Sequence, residues 1–213
     1  PDVQGKAVQR GKPMSDTIVF DMGGVLIDFS AQLFTERLQV SGEDRALLER
    51  HVLRTADWVR LDRGTITEEE VLARACANLP RRLHAAADYI INHWNEPIVP
   101  IEGTAEVVRQ LKARGYALYL LSNAGVRQHS YWNDIPGSEC FSGTVISADL
   151  HLLKPEAAIY QALFDKFDLT PANCIFVDDL PLNVEAAQNA GMQGIVFYDA
   201  QQLRSELQKR GVL

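Results

Sequence analysis

The chain has 213 residues, of which 46% are hydrophobic, 23% are charged and 8% are aromatic. These proportions are typical of a globular protein of about one to two domains, and they exclude disordered, collagenous and coiled-coil chains. With 21 Lys+Arg against 28 Asp+Glu, the formal net charge of −7 disfavours a protein that coats nucleic acid, but it leaves open phosphate chemistry at one metal-neutralised site.

The cysteines and the apolar runs indicate the compartment. Cys76, Cys140 and Cys174 are odd in number and widely spaced, which favours buried thiols over a disulfide framework or a zinc site. Apolar stretches such as residues 116–121 are too short to span a bilayer, and the N-terminus has no continuous apolar signal region. We therefore expect a cytoplasmic protein without a membrane partner.

The first thirteen residues are polar and lack a periodic pattern, and Met14 stands just before the first strand-like run. We interpret residues 1–13 as a flexible leader or a remnant of expression, outside the fold.

Five β-branched or aromatic runs predict strands, at residues 17–21, 116–121, 143–147, 174–178 and 194–198. Helical spacing predicts helices at residues 104–114, 155–167 and 182–190, the second of them opening with Pro155 in its first turn. Strands that alternate with helices of this length indicate βαβ units. The predicted class is α/β, with a Rossmann-like parallel sheet.

Between the first two strands lie roughly ninety residues, far more than one crossover helix needs. Helices are predicted there at residues 31–40, 43–53, 67–79 and 82–94, and Thr67 with Glu70 fits a capping box. Ligands of such sheets bind at the carboxyl ends of the strands, so an insertion at that end would cover the site. We therefore divide the chain into a core, residues 14–29 and 98–213, and a helical cap, residues 30–97.

Polar side chains stand where the predicted strands end. Taken singly, each has an ordinary use as a helix cap, a turn former or a surface residue. In a parallel sheet, however, they converge on one edge, and together they form an inventory for phosphoryl transfer: carboxylates for Mg²⁺ and nucleophilic attack, and donors for phosphate oxygens. These residues are Asp21, Ser122, Asn123, Lys154, Asp178 and Asp179.

In this order the motifs resemble the haloacid dehalogenase (HAD) superfamily, and the match covers nearly the whole chain after Met14. The first motif is FDMGGVL at residues 20–26, and the others are Ser122-Asn123, Lys154-Pro155 and Asp178-Asp179 with Asn183. The insertion corresponds in position to a type 1 cap. Within it, Trp58 and LDRGTI at residues 61–66 resemble bacterial members similar to α-D-glucose-1-phosphate phosphatase.

The resemblance implies a role for each site residue. Asp21 would be the nucleophile and a Mg²⁺ ligand, and Asp179, the backbone carbonyl of Gly23 and, directly or through water, Asp178 would complete the metal contacts. The phosphate would be held by Ser122, Asn123 and Lys154. Asn183 would position the metal loop or serve as a helix-turn residue, and in the cap Trp58 and Arg63 would contact the substrate or close the cap.

The sequence departs from the family pattern at Gly23, where most of the phosphatases carry an aspartate that acts as general acid and base. Such help is typically worth about 10²–10⁴-fold in rate. We therefore expect a Mg²⁺-dependent phosphatase that favours good leaving groups, such as sugar 1-phosphates. Asp28 is a candidate substitute acid, although a turn role fits it better.

Two alternatives remain at this stage, a dehalogenase of the same superfamily and a non-catalytic phosphate-binding or interaction module. The expected partner is a small-molecule phosphate ester, not nucleic acid. The expected assembly is a monomer or weak homodimer.

Overall fold

The computed structural model describes residues 16–40 and 42–213, so the predicted leader lies outside the described residues. Within them, five strands form one sheet: β1 (Thr17–Phe20), β2 (Ala117–Ser122), β3 (Gly143–Ile146), β4 (Cys174–Asp178) and β5 (Gln193–Val196). Every pairing is parallel, in the order β3-β2-β1-β4-β5. The predicted parallel α/β sheet is confirmed.

Helices fill the interval between β1 and β2, and we call residues 31–93 the helical insertion. They are α1 (Ala31–Arg37), α2 (Gly42–Leu48), α3 (Ala56–Asp62), α4 (Glu68–Asn78) and α5 (His84–Asp88). The capping box of Thr67 and Glu70 is present at the start of α4. Two wider, π-helical turns, Glu49–Leu53 and Tyr89–His93, extend α2 and α5.

The remaining helices follow the strands in alternation. They are α6 (Thr104–Ala113), α7 (Gln128–Tyr131), α8 (Ser147–Leu150), α9 (Ala157–Phe167), α10 (Pro181–Asn189) and α11 (Ala200–Lys209). No helix of the described residues is long and apolar enough to cross a membrane.

The sheet is buried on both faces, as parallel sheets are. In β1, Ile18 and Phe20 pack in the larger core cluster, with α6, α11 and the helical insertion, while Val19 packs in the second cluster, with α9 and α10. Two backbone hydrogen bonds join the segments on either side of the insertion: Asp28 N donates to Val99 O (2.8 Å), and Ile101 N donates to Leu26 O (2.9 Å). The insertion therefore leaves the core just beyond the carboxyl end of β1.

The structure corrects two details of the sequence interpretation. Pro155 precedes its helix, because Glu156 adopts an extended conformation at the N-cap and α9 begins at Ala157. Helix α3 was not predicted from the sequence. It is nevertheless the helix that carries Trp58 into the site described next.

Candidate active site

The carboxyl ends of β1 and β4 bring two aspartates to the same buried lysine. Lys154 Nζ lies 2.9 Å from Asp21 Oδ1 and 2.6 Å from Asp178 Oδ2, and only about 1% of the Lys154 side chain is exposed. Burial acts to lower the pKa of this lysine, but the two carboxylates outweigh it and the net pKa is raised. Lys154 is therefore a permanent positive charge at the end of the sheet.

Asp21 is held by its first carboxylate oxygen. Oδ1 accepts the Lys154 ion pair and a hydrogen bond from Met22 N (2.6 Å), whereas Oδ2 has no protein partner among the described residues. Burial raises the pKa of Asp21 to about 7, Lys154 opposes that rise, and the Asp178 charge adds to it. The second oxygen is therefore the one free to act as a nucleophile.

Asp178 organises the site. Besides Lys154, its carboxylate accepts two hydrogen bonds from Asn183 Nδ2 (3.0 and 3.1 Å) and one from Leu180 N (2.8 Å). The Asn183 carbonyl in turn accepts the Tyr160 hydroxyl (2.8 Å). The Asn183 contacts fit the positioning role that the resemblance implied for it.

Three carboxylates form a compact oxygen-donor cluster: Asp21, Asp178 and Asp179 each place one oxygen within 4.8 Å of the others. Burial, followed by the Asp178 charge, raises the pKa of Asp179. Hard oxygen donors crowded in this way fit Mg²⁺, whose charge offsets their mutual repulsion. Because Asp178 already accepts four hydrogen bonds or ion pairs, Asp21 and Asp179 are the more accessible pair.

Gly24 allows Asp179 to approach the backbone of the first motif. Its φ is +74°, and a β-carbon there would lie 2.5 Å from Asp179 Oδ2. Glycine is therefore required both by the left-handed conformation and by the close approach.

Replacing Gly24 with alanine is expected to displace the Asp179 carboxylate. Loss of such a support typically costs about 10–100-fold in metal affinity, so the Kd for Mg²⁺, measured by calorimetry, should rise about 10-fold or more. The matched control is Gly211→Ala, where φ is +71° but nothing lies within 4 Å of the added carbon. Equal Mg²⁺ dependence in both variants would contradict the assignment of Asp179 to the metal.

Ser122 and Asn123, at the end of β2, differ in what their side chains do. Ser122 is buried and lines the cavity above Asp21. The Asn123 side chain forms two hydrogen bonds with the main chain of Lys154. Its Nδ2 donates to the carbonyl (3.0 Å), and its Oδ1 accepts from the amide (2.8 Å). Asn123 therefore sets the position of Lys154, and one Nδ2 hydrogen remains for a phosphate oxygen.

A cavity of about 400 Å³ lies between this sheet edge and the helical insertion. Asp21, Gly23, Ser122, Asn123, Lys154, Asp179 and Asn183 line its floor, so the structure brings these predicted site residues together. Much of the opposite wall is aromatic, with Phe29, Trp58, Trp94 and Tyr131. The ring centroids of Trp94, which directly follows the insertion, and Tyr131 lie 5.1 Å apart.

The family model for haloacid dehalogenase-like hydrolases matches residues 15–191, most of the chain. The protein belongs to this family of hydrolases. A sesquiterpene phosphatase from Aspergillus oryzae is 28% identical over 85% of this chain and 89% of its own length. An (S)-2-haloacid dehalogenase from Pseudomonas putida is 26% identical over 82% and 80%.

Solved structures agree with the fold of this hydrolase. A HAD family enzyme from Bacteroides thetaiotaomicron, crystallised with magnesium and inorganic phosphate, has a TM-score of 0.65 at 22% identity, covering 89% of this chain and 98% of that chain. The family and the fold implied by the sequence resemblance are confirmed. The finer likeness to α-D-glucose-1-phosphate phosphatases stays a prediction.

The two predicted cap residues of the hydrolase have different positions. Trp58 lines the cavity, with its ring centroid 5.6 Å from that of Phe29. Arg63 is not among the lining residues and instead joins the insertion to the core: it pairs with Glu156 and donates to His151 O (3.0 Å). Substrate contact thus remains a prediction for Trp58, whereas the contacts of Arg63 fit closure.

Asp28 is engaged in a turn, as the alternative interpretation proposed. Its Oδ1 accepts from Ser30 N (2.9 Å), next to the backbone bond that attaches the insertion. This local turn explains the aspartate without a catalytic role.

The sequence interpretation assigned no site role to three residues of the cavity wall, because nothing in their spacing marks them. They are Gln128, Arg127 and Glu68. Gln128, in α7, is 1% exposed, and its amide oxygen and nitrogen have no hydrogen-bond partner among the described residues. Arg127 Nε pairs with Glu68 Oε1 at 2.6 Å, again between core and insertion. These contacts depend on how the insertion sits on the sheet edge, which local sequence does not specify.

Asp62, which lies within the LDRGTI motif but was given no role there, lines the cavity from the C-terminal end of α3. Burial, followed by the negative charge of Asp21, raises the pKa of Asp62 to about 8, although Lys154 opposes the rise. This shift favours the protonated form of Asp62 near neutral pH.

Proposed function

We propose that this hydrolase is a Mg²⁺-dependent phosphatase that acts on small phosphomonoesters through an aspartyl phosphate on Asp21. The observation that carries the proposal is the buried ion pair of Lys154 with Asp21, beside the oxygen cluster that includes Asp179. This arrangement presents a nucleophilic oxygen and a fixed positive charge at one point of a cavity. The helical insertion acts as the cap over that point.

Asp21 Oδ2 would attack phosphorus, while Lys154 holds Oδ1 and the neighbouring phosphate oxygens. Ser122 and the remaining amide hydrogen of Asn123 would donate to the phosphate. Asp21 and Asp179, with Asp178 close by, would hold Mg²⁺, which when bound neutralises phosphate charge and stabilises the charge that develops during transfer. Asn183 fixes Asp178 and with it Lys154.

The cavity wall supports a substrate with one apolar face and a few hydroxyl groups. Trp58, Trp94 and Tyr131 provide aromatic surface, and the free amide of Gln128 can both donate to and accept from a hydroxyl. Sugars combine these features, and a sugar 1-phosphate has the better leaving group that the missing acid at Gly23 favours. We therefore propose sugar 1-phosphates as the first substrate class to be assayed.

The test is phosphate release by the wild-type protein from a panel with and without Mg²⁺. The panel contains a sugar 1-phosphate, the matching sugar 6-phosphate, an aryl phosphate and a prenyl phosphate, with 2-chloropropionate as an arm that measures chloride release. Mg²⁺-dependent phosphate release is expected, fastest from the sugar 1-phosphate. Comparable rates for the two sugar phosphates would contradict the leaving-group argument.

The panel also distinguishes the alternatives. The related dehalogenase from Pseudomonas putida makes halide chemistry the second candidate, and chloride release without phosphate release would establish it. The crowded oxygen cluster favours the metal and hence phosphorus. Phosphate binding without any release would instead support the non-catalytic module.

Replacing Gln128 with leucine is expected to raise KM for the sugar phosphate about 10-fold, since a hydrogen bond contributes about 0.5–1.5 kcal/mol. KM for the aryl phosphate, which has no hydroxyl to bond, should stay within about 2-fold on the same argument. Steady-state kinetics on the two substrates give the comparison. An equal rise for both would show that Gln128 shapes the cavity and does not bind a hydroxyl.

A further inference from the structure

We propose that Asp62 is the proton donor and acceptor of this hydrolase, supplied from the helical insertion in place of the acid absent at Gly23. The proposal rests on the phosphatase function proposed above. It assigns to α3 a catalytic residue that acts on the oxygen of the leaving group and then on the attacking water.

All but one of the carboxyl groups that line the cavity are engaged in other interactions. Among the described residues, five acidic side chains line it. Asp21 and Asp179 belong to the oxygen cluster, Asp28 accepts the Ser30 amide, and Glu68 pairs with Arg127. The remaining one is Asp62, whose carboxyl group has no hydrogen bond and no ion pair within the described part of the chain.

The position of Asp62 supports a role in proton transfer. Asp62 lines the same cavity as Asp21 and Lys154, and the charges of both residues act on its pKa. The other titratable or charged groups near Asp62 are Tyr131 from α7 and the Arg127–Glu68 ion pair. The next residue, Arg63, contacts His151 and Glu156. Since the negative charge of Asp21 favours a neutral Asp62, the group is ready to donate before the reaction begins.

The main chain around Asp62 is anchored to the core, as a proton donor must be held in place. Ser147 Oγ donates to the Asp62 carbonyl (2.5 Å), and His151 Nδ1 donates to the Arg63 carbonyl (2.9 Å). Gly64, with a φ of +71°, rests on α8, where a β-carbon would lie 2.5 Å from Ala148 O. These contacts bind residues 62–64 to the core beside the site, and we call this segment the anchored segment.

Crowding does not explain the glycine at position 23. A β-carbon there would meet nothing closer than Phe29 Cβ at 3.6 Å, an ordinary contact. The backbone thus accommodates a side chain at position 23, and the absence of an acid there is consistent with a proton donor elsewhere.

The chemistry balances in two steps. In the first, Asp21 Oδ2 forms a bond to phosphorus, the bond from phosphorus to the alcohol oxygen breaks, and the Asp62 proton passes to that oxygen. In the second, water attacks the aspartyl phosphate and the Asp62 carboxylate takes its proton. The bond from phosphorus to Asp21 breaks, inorganic phosphate forms, and both carboxyl groups return to their starting states.

The test compares Asp62→Asn with wild type on an alkyl phosphate and on an aryl phosphate with a strongly acidic phenol. For the alkyl phosphate, kcat/KM is expected to fall about 10²–10⁴-fold, the usual contribution of a general acid. For the aryl phosphate it should fall less than about 10-fold, because its leaving group needs no proton. A burst of phenol equal to the enzyme concentration should precede slow turnover, since the second step lacks its base.

The pH profile provides a second readout. Because Asp62 donates only while protonated, wild-type kcat/KM for the alkyl phosphate is expected to fall as the pH rises through about 8. In Asp62→Asn this decline should be absent. Asp62→Glu, which keeps the carboxyl group, should restore part of the alkyl activity, and Asp28→Asn should match wild type on both substrates.

Each result bears on one claim. Equal losses on both substrates in Asp62→Asn, or a loss in Asp28→Asn in its place, would overturn the role of Asp62 while leaving the phosphatase function intact. If Asp62→Asn fails to fold, Asp62→Glu decides: alkyl activity that falls with pH as in wild type supports the role, and a pH-independent profile overturns it. Wild-type protein inactive on both phosphates would overturn the proposed function and with it the role of Asp62.

Discussion

Replacing Asp21 with asparagine is expected to reduce phosphate release on the order of 10⁴–10⁶-fold, the range seen when an enzyme loses its nucleophile. The amide is a poor nucleophile, yet its Oδ1 can still accept from Met22 N and Lys154 Nζ, the two partners of the native oxygen. The fold and the phosphate site should therefore persist. Steady-state phosphate release measures the loss, and circular dichroism checks the fold.

Two further measurements make this prediction specific. Incubation of the wild type with substrate and a rapid acid quench should trap phosphate on the protein, whereas Asp21→Asn should trap none. Binding of inorganic phosphate, measured by calorimetry with Mg²⁺, should be retained in the variant. A variant that keeps more than about one-hundredth of the wild-type rate would show that another group attacks phosphorus.

Replacing Lys154 with methionine is expected to lower both stability and activity. The change leaves Asp21 and Asp178 buried without their shared cation, and breaking a buried pair in this way costs about 3–5 kcal/mol in the free energy of unfolding. Activity should fall as well, because no positive charge then stands beside the nucleophile. Urea denaturation and phosphate release measure the two effects.

The stability loss in Lys154→Met should depend on pH in a defined direction. Without the lysine, whose charge opposes the rise, burial and the neighbouring Asp178 charge hold the pKa of Asp21 above its unfolded value. Stability is then retained at low pH, where Asp21 is protonated, and lost as the pH rises, so the deficit should be smaller at pH 5 than at pH 7. Lys112→Met, on the exposed face of α6, is the control and should change stability by less than about 0.5 kcal/mol. A deficit that does not change with pH would contradict the ion-pair explanation.

The sequence predicted the floor of the site well because the floor is set by topology. Asp21, Ser122 and Asp178 each stand at or just after the end of a buried parallel strand, and parallel strands place such residues on one edge. Asp179 follows β4 directly, and Lys154 follows β3 after the short helix α8. Apolar runs and the polar residues that end them are visible in one dimension, so this part of the site could be found without coordinates.

The wall of the cavity could not be found in this way. Gln128, Arg127 and Asp62 gain their meaning from contacts between the helical insertion and the core, which join residues up to 93 positions apart, as in the Arg63–Glu156 hydrogen bonds. No local pattern records such distances. The resemblance pointed to Arg63, but in the structure Arg63 pairs with Glu156, and its neighbour Asp62 lines the cavity instead.

The anchored segment also makes proton transfer depend on the size of the substrate. The main-chain bonds of Asp62 and Arg63 to Ser147 and His151 exist only while the insertion is seated on the core. A substrate too large for the cavity of about 400 Å³ would hold the two apart, and the carboxyl group would then stand away from the reacting phosphate. Phosphate esters on macromolecules would be spared by this arrangement, so that the size of the alcohol decides whether the reaction begins.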